Sequence, residues 1–221
     1  MEREKILRHI DHTALQAVTT WKQIETLCGE AIRDHMASVC VPPCYVERIR
    51  KEFGDRLSIC TVIGFPLGYN TTDCKTAEAR QAVADGASEV DMVINIGDVK
   101  NGDFDKVEQE IKQVKSAVGD RILKVIVETC YLTDEEKVRL CGIVTRAKAD
   151  YIKTSTGFGT SGAKLEDIRI FKKNIGPDVK IKAAGGIRSR EDLEAFLEEG
   201  CDRIGTSSAV KILNGQENSG Y

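Results

Sequence analysis

The chain has no long apolar run. None of its segments approaches the ~18 consecutive apolar residues that a membrane-spanning helix needs. The charged N-terminus, MEREKILRHI, also lacks the apolar core of a secretory signal peptide. The sequence therefore predicts a cytoplasmic protein without a membrane partner.

The chain also has no large excess and no cluster of charge of one sign. The 221 residues include 32 basic and 35 acidic side chains, for a net charge of −3, and the basic ones form no block. Nucleic acids and anionic membranes bind concentrated positive charge, so neither is an expected partner. A small anionic ligand stays compatible with this composition, because one pocket can be positive in a mildly acidic protein.

The patterns of metal sites and disulfide frameworks are also absent. The eight cysteines are scattered through apolar segments without a CxxC pair, and the three histidines have no ligand spacing with carboxylates. Such cysteines are typical of reduced, buried thiols. We therefore expect no disulfide and no metal site.

Apolar runs alternate with amphipathic segments along the whole chain. Eight runs end in turn residues and are followed by a helical pattern, and the longest predict a fourth strand over EVDMVINIGDV and a fifth over RILKVIVETCYL. Regular alternation implies right-handed parallel crossovers, so the sequence predicts an α/β fold, a single closed (β/α)8 TIM barrel. A doubly wound sheet is less favoured, because its first strand–helix turn would carry a glycine fingerprint.

The domain organisation follows from this alternation. We assign one (β/α)8 barrel domain to residues 1–213, since no linker interrupts them. The remaining residues, 214–221, have the sequence NGQENSGY, whose composition is typical of a flexible tail.

The segment YIKTSTGFG, residues 151–159, carries a lysine at the end of a predicted strand. A buried ammonium group is costly without partners, so an environment that accepts Lys153 favours its neutral, nucleophilic amine. Such an amine can form a Schiff base with a carbonyl compound. A surface lysine at a strand end is the competing interpretation, and for this segment alone it is the commoner case.

Two further residues face the barrel axis if strand parity holds. Side chains alternate along a strand, so Asp91 of strand four and Lys182 of strand seven would meet Lys153 near the axis. Two ammonium groups around a carboxylate can relay protons during a reaction. A buried ion network that only holds strands together is the alternative, and it explains Lys124 and Glu128 of strand five better than it explains Lys153.

Glycine and hydroxyl residues follow strands six, seven and eight. They allow backbone N–H groups to approach a phosphate closely, and the last two of these loops are the usual phosphate site of a TIM barrel. Each turn alone could be ordinary turn chemistry, but three adjacent turns favour phosphate. Arg188 could add a charge or cap its loop. The candidate residues are Thr156, Gly157, Gly185, Gly186, Gly205, Ser207 and Ser208.

Four other residues are weaker candidates. Asp11 and Thr13 share one face of the first strand, and Cys40 of the second strand is either a binding thiol or a buried spacer. Tyr221 ends the tail and could fold over the barrel mouth to transfer a proton, whereas a disordered terminus is the default.

Taken together, these segments resemble the deoxyribose-phosphate aldolases, a family of class I aldolases. The resemblance runs from residue 10 to residue 208 and is carried, in order, by IDHTAL, VCVPP, VIGFPLG, GASEVDMVINIG, KVIVET, YIKTSTGFG, KIKAAGGIR and RIGTSS. It implies a (β/α)8 barrel that reversibly cleaves 2-deoxy-D-ribose 5-phosphate to D-glyceraldehyde 3-phosphate and acetaldehyde, without a metal or cofactor.

The resemblance also implies roles for individual residues. By position in the matching motifs, Lys153 corresponds to the Schiff-base lysine, and Asp91 and Lys182 to the proton relay. The glycine and serine turns correspond to the phosphate site, and the family's terminal tyrosine is matched in kind by Tyr221. Small departures affect the loops: the sequence has Tyr69 and Lys164 where smaller or hydroxyl residues are expected.

Two other functions stay open at this point. One is a different Schiff-base aldolase of phosphorylated sugars, such as a transaldolase-like enzyme. The other is a barrel that binds phosphate without catalysis, for which the sequence offers only generic turns. An exposed ring of helices is also compatible with a homodimer.

Overall fold

A computed structural model of the chain describes residues 1–215. Each strand pairs in parallel with the next one, and the eighth pairs with the first, so the sheet closes into a barrel. The predicted (β/α)8 TIM barrel is confirmed. In chain order the strands are β1 (Ile10–Thr13), β2 (Ser38–Val41), β3 (Ile59–Ile63), β4 (Glu89–Val93), β5 (Ile122–Ile126), β6 (Tyr151–Lys153), β7 (Lys180–Ala184) and β8 (Arg203–Thr206).

Helices connect the strands and cover the outside of the barrel. Short 3₁₀ turns occur at residues 43–45 and 129–131. None of the helices within residues 1–215 combines the length and the apolar character that a membrane crossing requires. The helices described are α1 (Arg3–Leu7), α2 (Trp21–Arg33), α3 (Val46–Phe53), α4 (Thr72–Ala84), α5 (Ile96–Asn101), α6 (Phe104–Val118), α7 (Asp134–Arg146), α8 (Leu165–Asn174), α9 (Arg190–Glu199) and α10 (Ala209–Leu213).

Local sequence explains why helices begin close to the strand ends. At the start of α7 the Thr133 hydroxyl accepts a hydrogen bond from the Glu136 amide at 3.3 Å, and the Glu136 carboxylate accepts one from the Thr133 amide at 2.7 Å. This reciprocal capping satisfies N–H groups that the first helical turn leaves free. Ser189 and Asp192 form the same arrangement at the start of α9.

The strands are buried on both faces, as a parallel barrel requires. All five residues of β3 and of β4 are buried. On β2, Val39 and Val41 belong to the large apolar core that the helices cover. Cys40, between them, belongs instead to a small cluster with Cys60 and Val62 inside the barrel. The rest of the interior is therefore available to polar side chains.

Two of the predicted strands are too long. Strand β4 stops at Val93, and α5 begins three residues later, because the Asn95 side chain accepts a hydrogen bond from the Asp98 amide and caps that helix. Strand β5 stops at Ile126, because Glu128 turns into the left-handed region with φ 56°. Residues 3–7 of the N-terminal lead-in, which the sequence did not assign, form helix α1.

Candidate active site

A cavity of about 270 Å³ opens at the carboxyl ends of the strands, where TIM barrels carry their chemistry. Residues at the ends of β1, β6, β7 and β8 surround it, and one lysine reaches it from below. The lining residues are Thr13, Leu15, Gln16, Lys153, Thr156, Gly157, Phe158, Ala184, Gly185, Gly186, Ile187, Arg188, Gly205, Thr206, Ser207 and Ser208.

Lys153 provides the amine beneath this cavity. It is the last residue of β6, it is 2% exposed, and its Nζ lies 2.7 Å from Oδ2 of Asp91. The Cα atoms of Lys153 and Lys182 are register partners on β6 and β7, so both side chains rise from the same level of the barrel. Strand parity thus places a lysine where a bound molecule can reach its nitrogen.

Lys182 is held in its charged form. Its Nζ lies 2.8 Å from Oδ2 of Asp91 and 2.5 Å from Oδ2 of Asp11. Burial opposes the charge, but the carboxylates of Asp11 and Asp91 outweigh it and raise the pKa of Lys182 well above the usual value for lysine. The Nζ atoms of Lys153 and Lys182 therefore share one oxygen of Asp91.

Asp91 is the centre of the cluster. Besides Lys153 and Lys182, it binds Lys124, whose Nζ lies 2.9 Å from Oδ1. Burial would raise the pKa of Asp91, but the three lysine charges outweigh this effect and hold the pKa well below its usual range. The structure thus brings Asp91, Lys153 and Lys182 together, as parity predicts, and adds Lys124. We call Asp11, Asp91, Lys124, Lys153 and Lys182 the cavity floor.

A second ion layer supports the floor from below. Nη1 of Arg203, on β8, lies 2.5 Å from Oδ1 of Asp11, and its Nη2 lies 3.0 Å from Oε1 of Glu89. Lys124 closes the layer, with its Nζ 2.5 Å from Oε2 of Glu89. Nearly every buried charge in the barrel interior therefore has a partner of opposite sign, which is the condition for tolerating such groups away from water.

One ammonium group, that of Lys124, also lies at a cluster of thiols and a carboxylate inside the barrel. Ligand atoms of Cys40, Cys60 and Asp91 lie within 4.8 Å of one another. Nζ of Lys124, however, already lies 3.3 Å from Sγ of Cys60 and 2.9 Å from Oδ1 of Asp91. The positive charge that a metal ion would bring to these atoms is supplied by Lys124.

Backbone surrounds the cavity above the floor. Gly185 and Gly186 have φ values of 80° and 74°, which favour glycine. A Cβ atom on Gly162 would lie 2.2 Å from the carbonyl oxygen of Gly185, so these loops pack without side chains between them. We call Gly157, Gly185, Gly186, Gly205, Ser207 and Ser208 the cavity rim.

The remaining candidates are placed as follows. Thr13 and Thr156 line the cavity, but Asp11 and Cys40 do not. Asp11 is fully buried in the floor, and Cys40 lies in the small apolar cluster. Tyr221 lies outside the described residues. Sequence reasoning did not find Leu15, Gln16 or Phe158, because apolar and amide side chains in loops carry no pattern that marks a site.

The chain resembles known aldolases in sequence. A family model described as "DeoC/LacD family aldolase" matches residues 5–215. A deoxyribose-phosphate aldolase of Clostridium botulinum (strain Alaska E43 / Type E3) is 60% identical over 221 residues, which is 100% of either chain. Another, of Clostridioides difficile (strain 630), is 54% identical over 216 residues, covering 98% of this chain and 99% of that protein.

Solved structures show the same likeness. QR15, described as an aldolase, superposes with a TM-score of 0.90 at 40% identity, covering 95% of each chain. A deoxyribose phosphate aldolase of Aeropyrum pernix, described as tetrameric, superposes with a TM-score of 0.88 at 31% identity. That superposition covers 97% of this chain and 92% of the other.

Proposed function

The chain belongs to the DeoC/LacD family of aldolases, and we propose that it cleaves 2-deoxy-D-ribose 5-phosphate reversibly to D-glyceraldehyde 3-phosphate and acetaldehyde. It acts as a class I aldolase, through a Schiff base on a lysine. Relatives that are 54% to 60% identical over almost the whole chain bear the name deoxyribose-phosphate aldolase. No cofactor or metal takes part in the proposed reaction.

One observation carries the assignment of the nucleophile. Of the floor residues, Lys153 is the one that lines the cavity, whereas Lys182 and Lys124 are buried beneath it and fully paired with carboxylates. A carbonyl carbon that enters the cavity can reach the Lys153 amine. The paired lysines instead supply fixed positive charge next to it.

The first half of the reaction forms the Schiff base. The neutral amine of Lys153 adds to the aldehyde carbon of the open-chain sugar, which gives a carbinolamine. Its hydroxyl group then leaves as water, with a proton supplied through Asp91 and Lys182, and a protonated imine remains. Asp91 is suited to this relay because its Oδ2 contacts both nitrogens, at 2.7 and 2.8 Å.

The second half breaks the carbon–carbon bond. The C3 hydroxyl loses its proton, the C2–C3 electron pair moves toward the protonated imine, and D-glyceraldehyde 3-phosphate leaves. The enamine left on Lys153 takes up a proton at C2, and water hydrolyses the resulting imine to acetaldehyde and free lysine. The imine thus accepts the electron pair that a divalent metal would stabilise in a metal-dependent aldolase.

The cavity rim is the proposed phosphate site. Its glycines and serines present backbone and hydroxyl groups to the cavity, and Arg188 lines the same space and supplies a positive charge. Thr13 and Thr156 add hydroxyl groups to the wall. Asp11, which sequence analysis grouped with the binding residues, acts in this proposal on Lys182, and Cys40 packs below the cavity.

Several expectations about the whole chain stay predictions. They are a barrel domain of residues 1–213 with a tail of residues 214–221, a cytoplasmic location, a homodimer, and proton transfer by Tyr221. The Aeropyrum pernix relative is described as tetrameric, so light scattering on the full chain is the direct test of the homodimer. Comparing Tyr221→Phe with the wild type tests the tail.

A donor panel tests the proposed reaction against other Schiff-base aldolases. Purified protein is mixed with D-glyceraldehyde 3-phosphate and, in turn, acetaldehyde, dihydroxyacetone or pyruvate, and the aldol product is measured. We expect product with acetaldehyde and cleavage of 2-deoxy-D-ribose 5-phosphate in the reverse direction. A preference for dihydroxyacetone or pyruvate would contradict the proposed substrate, and no product with any donor would contradict catalysis.

A further inference from the structure

Glu128 is a buried carboxylate beside the cavity that the proposed reaction does not use. It follows β5 at the carboxyl end of the barrel, it is 2% exposed, and its backbone is left-handed, with φ 56° and ψ 67°. Residues other than glycine and asparagine are strained in this backbone conformation, which costs free energy of folding. A glutamate held there suggests that the position of its carboxylate matters.

Within residues 1–215, the hydrogen bonds that this carboxylate accepts come from one residue of the cavity wall, Thr156. The Thr156 amide donates to Oε1 and Oε2 at 3.2 and 3.3 Å, and the Thr156 hydroxyl donates to Oε2. The backbone amides of Val127 and Thr129 bind the carbonyls of Lys153 and Thr154 at 3.0 and 2.9 Å. The Glu128 side chain thus extends the β5–β6 pairing by one step, beyond the end of both strands.

The hydrogen bonds around the Thr156 hydroxyl determine which way it can act. A hydroxyl has one hydrogen to donate and two lone pairs to accept with. The hydrogen goes to Glu128, and one lone pair accepts from the Phe158 amide at 3.0 Å. One acceptor position is left, on a side chain that lines the cavity. Thr156 can therefore accept a hydrogen bond from a ligand but has none to donate.

We propose that Glu128 is a positioning residue that fixes the direction of the Thr156 hydroxyl, so that this hydroxyl accepts a hydrogen bond from a hydroxyl group of the bound sugar phosphate. The role rests on the proposed function, because it requires a polyhydroxylated substrate in the cavity. It assigns no contact between Glu128 and the substrate.

The electrostatic surroundings of Glu128 fit this role. Burial raises the pKa of Glu128, while the two hydrogen bonds from Thr156 and the charge of Lys153 act to lower it. The hydrogen bonds from Thr156 are therefore what support the carboxylate in a buried place. Glu128→Leu removes this acceptor and leaves the Thr156 hydroxyl free to turn, whereas Glu128→Gln keeps the size of the side chain and can hold an acceptor oxygen at the Oε2 position.

A double-mutant cycle tests the proposal. Glu128→Gln should stay close to the wild type, whereas Glu128→Leu and Thr156→Val each remove the fixed acceptor, the first by releasing the hydroxyl and the second by deleting it. Each should lower kcat/KM for 2-deoxy-D-ribose 5-phosphate about tenfold, mainly through KM, which is the effect expected for one hydrogen bond to a substrate. The double variant should lose no more than Thr156→Val alone, because both changes remove the same interaction.

A second measurement separates positioning from damage to the nucleophile. Acetaldehyde is too small to reach the outer cavity wall once it is bound to Lys153. Its capture on Lys153 by borohydride should therefore stay within about twofold of the wild-type rate in Glu128→Leu. Glu110→Leu is a matched control, since Glu110 is also a buried carboxylate with a pKa raised by burial but lies on α6 away from the cavity. It should lower stability and leave KM unchanged.

The outcomes distinguish this proposal from the proposed function. An active wild type with additive losses in the cycle, or an unchanged KM in Glu128→Leu, would overturn the positioning role alone. Loss of acetaldehyde capture in Glu128→Leu would also overturn it, by showing that the variant disturbs Lys153. A wild type that neither cleaves the sugar nor captures acetaldehyde would remove the proposed function and this role together.

Hydrogen exchange on the substrate-free protein tests whether Glu128 holds the backbone around Thr156 in place. Glu128→Ala should speed exchange of the Thr156 amide, while Glu128→Gln, which retains an acceptor oxygen, should leave it protected. Equal protection in both variants would show that Glu128 does not hold this segment, and it would overturn the proposal.

Discussion

The cavity floor and the cavity rim face the same space but differ in composition. The floor consists of charged side chains that are almost completely buried and bound to one another, with Asp91 in contact with three lysines. The rim consists largely of glycine backbone, with Gly185 and Gly186 at positive φ. In the proposed function the floor carries the bond chemistry and the rim carries recognition of the phosphate.

This difference implies that the two regions respond differently to substitution. A change in the floor alters charges that are coupled over short distances in a buried environment, so it should affect both kcat and stability. A change in the rim alters backbone conformation or the approach of a ligand, so it should affect KM first.

Removal of the Lys153 amine should have the largest effect. Lys153→Leu should lower the cleavage rate by at least about 10⁴-fold, because no Schiff base can form. The fold should persist, since Asp91 keeps its contacts with Lys124 and Lys182. Steady-state kinetics and circular dichroism check the two statements. A rate near that of the wild type would refute the role of Lys153.

Loss of the fixed charge beside the nucleophile should have the second-largest effect. Lys182→Met should lower kcat by about 10²- to 10⁴-fold, because the proton relay loses one member. It should also lower the free energy of unfolding by about 3–5 kcal/mol, because Asp11 and Asp91 each lose a buried partner.

Lys180→Met is the matched control for this variant. Lys180 lies on the same strand, β7, but is exposed. Its substitution should change the free energy of unfolding by no more than about 0.5 kcal/mol and leave kcat unchanged. Equal losses from both variants, measured by denaturant titration and kinetics, would show that the floor has no special role.

Acid should weaken the floor and spare the rim. The folded-state pKa of Asp91 lies well below the value of 3.8 for an unperturbed aspartate. The stabilisation from Asp91 is therefore present above pH 3.8 and is lost as the pH falls below it toward the folded-state pKa. In that range Asp91 should contribute a slope of up to about 1.4 kcal/mol per pH unit to the free energy of unfolding.

Denaturant unfolding at a series of acidic pH values checks this slope. Asp91→Asn should give a shallower dependence than the wild type, whereas Gly186→Ala should keep the wild-type slope, because the rim residue does not titrate. Parallel curves for the wild type and Asp91→Asn would contradict the assignment of Asp91 as an ionised group with a depressed pKa.

Two glycine variants should give the smallest effects and separate the regions most finely. Gly205 is a rim residue that borders the floor: a Cβ atom on it would lie 3.1 Å from Cε of Lys182 and 3.2 Å from Cβ of Ala184, so Gly205→Ala should act on the floor. A Cβ atom on Gly186 has more room, but φ 74° is unfavourable for alanine. We expect Gly205→Ala to lower kcat, and Gly186→Ala to raise KM, by about five- to tenfold each.

Steady-state kinetics with 2-deoxy-D-ribose 5-phosphate measure whether one variant changes kcat and the other KM. The same pair of variants assayed with unphosphorylated 2-deoxy-D-ribose provides the control, since only the effect of Gly186→Ala depends on a phosphate. If both variants changed kcat and KM in equal proportion, floor and rim would not be separate functional regions.

Strand alternation predicted the main part of the floor because it is a local property. Lys153, Asp91 and Lys182 each lie at an inward position of their own strand, next to apolar residues that fix the outward face. The strands' order and closure then bring them together. Eight alternating strand–helix units predict a closed barrel, and inward-facing side chains of a closed barrel meet near its axis. The contact among these three side chains could therefore be predicted without knowing any distance between the strands.

The supporting charges could not be predicted in the same way. Lys124 meets Asp91 because their Cα atoms are register partners on β5 and β4, and Arg203 is the partner of Lys182 on β8 and β7. Register between strands depends on the tilt of the closed barrel, which no single segment encodes. The pairing of Arg203 with Asp11 and Glu89 was therefore missed.

The site also departs from the sequence prediction at Asp11 and Cys40. Both face the barrel interior, as their strands suggest, but they lie below the level that the cavity reaches. Depth along the barrel axis depends on where each strand starts, which the sequence locates only to within a few residues. Glu128 was left without a role for a related reason, since its contact with Thr156 depends on a left-handed turn beyond the strand end.

The most direct test of the account is capture of the Schiff base. The protein is treated with acetaldehyde and borohydride, digested, and analysed by mass spectrometry. We expect a net gain of C2H4, from one ethyl group that replaces a hydrogen, on the peptide that contains Lys153, and no such adduct on Lys182 or in the Lys153→Leu variant. An unmodified Lys153, or an adduct shared equally among lysines, would contradict it.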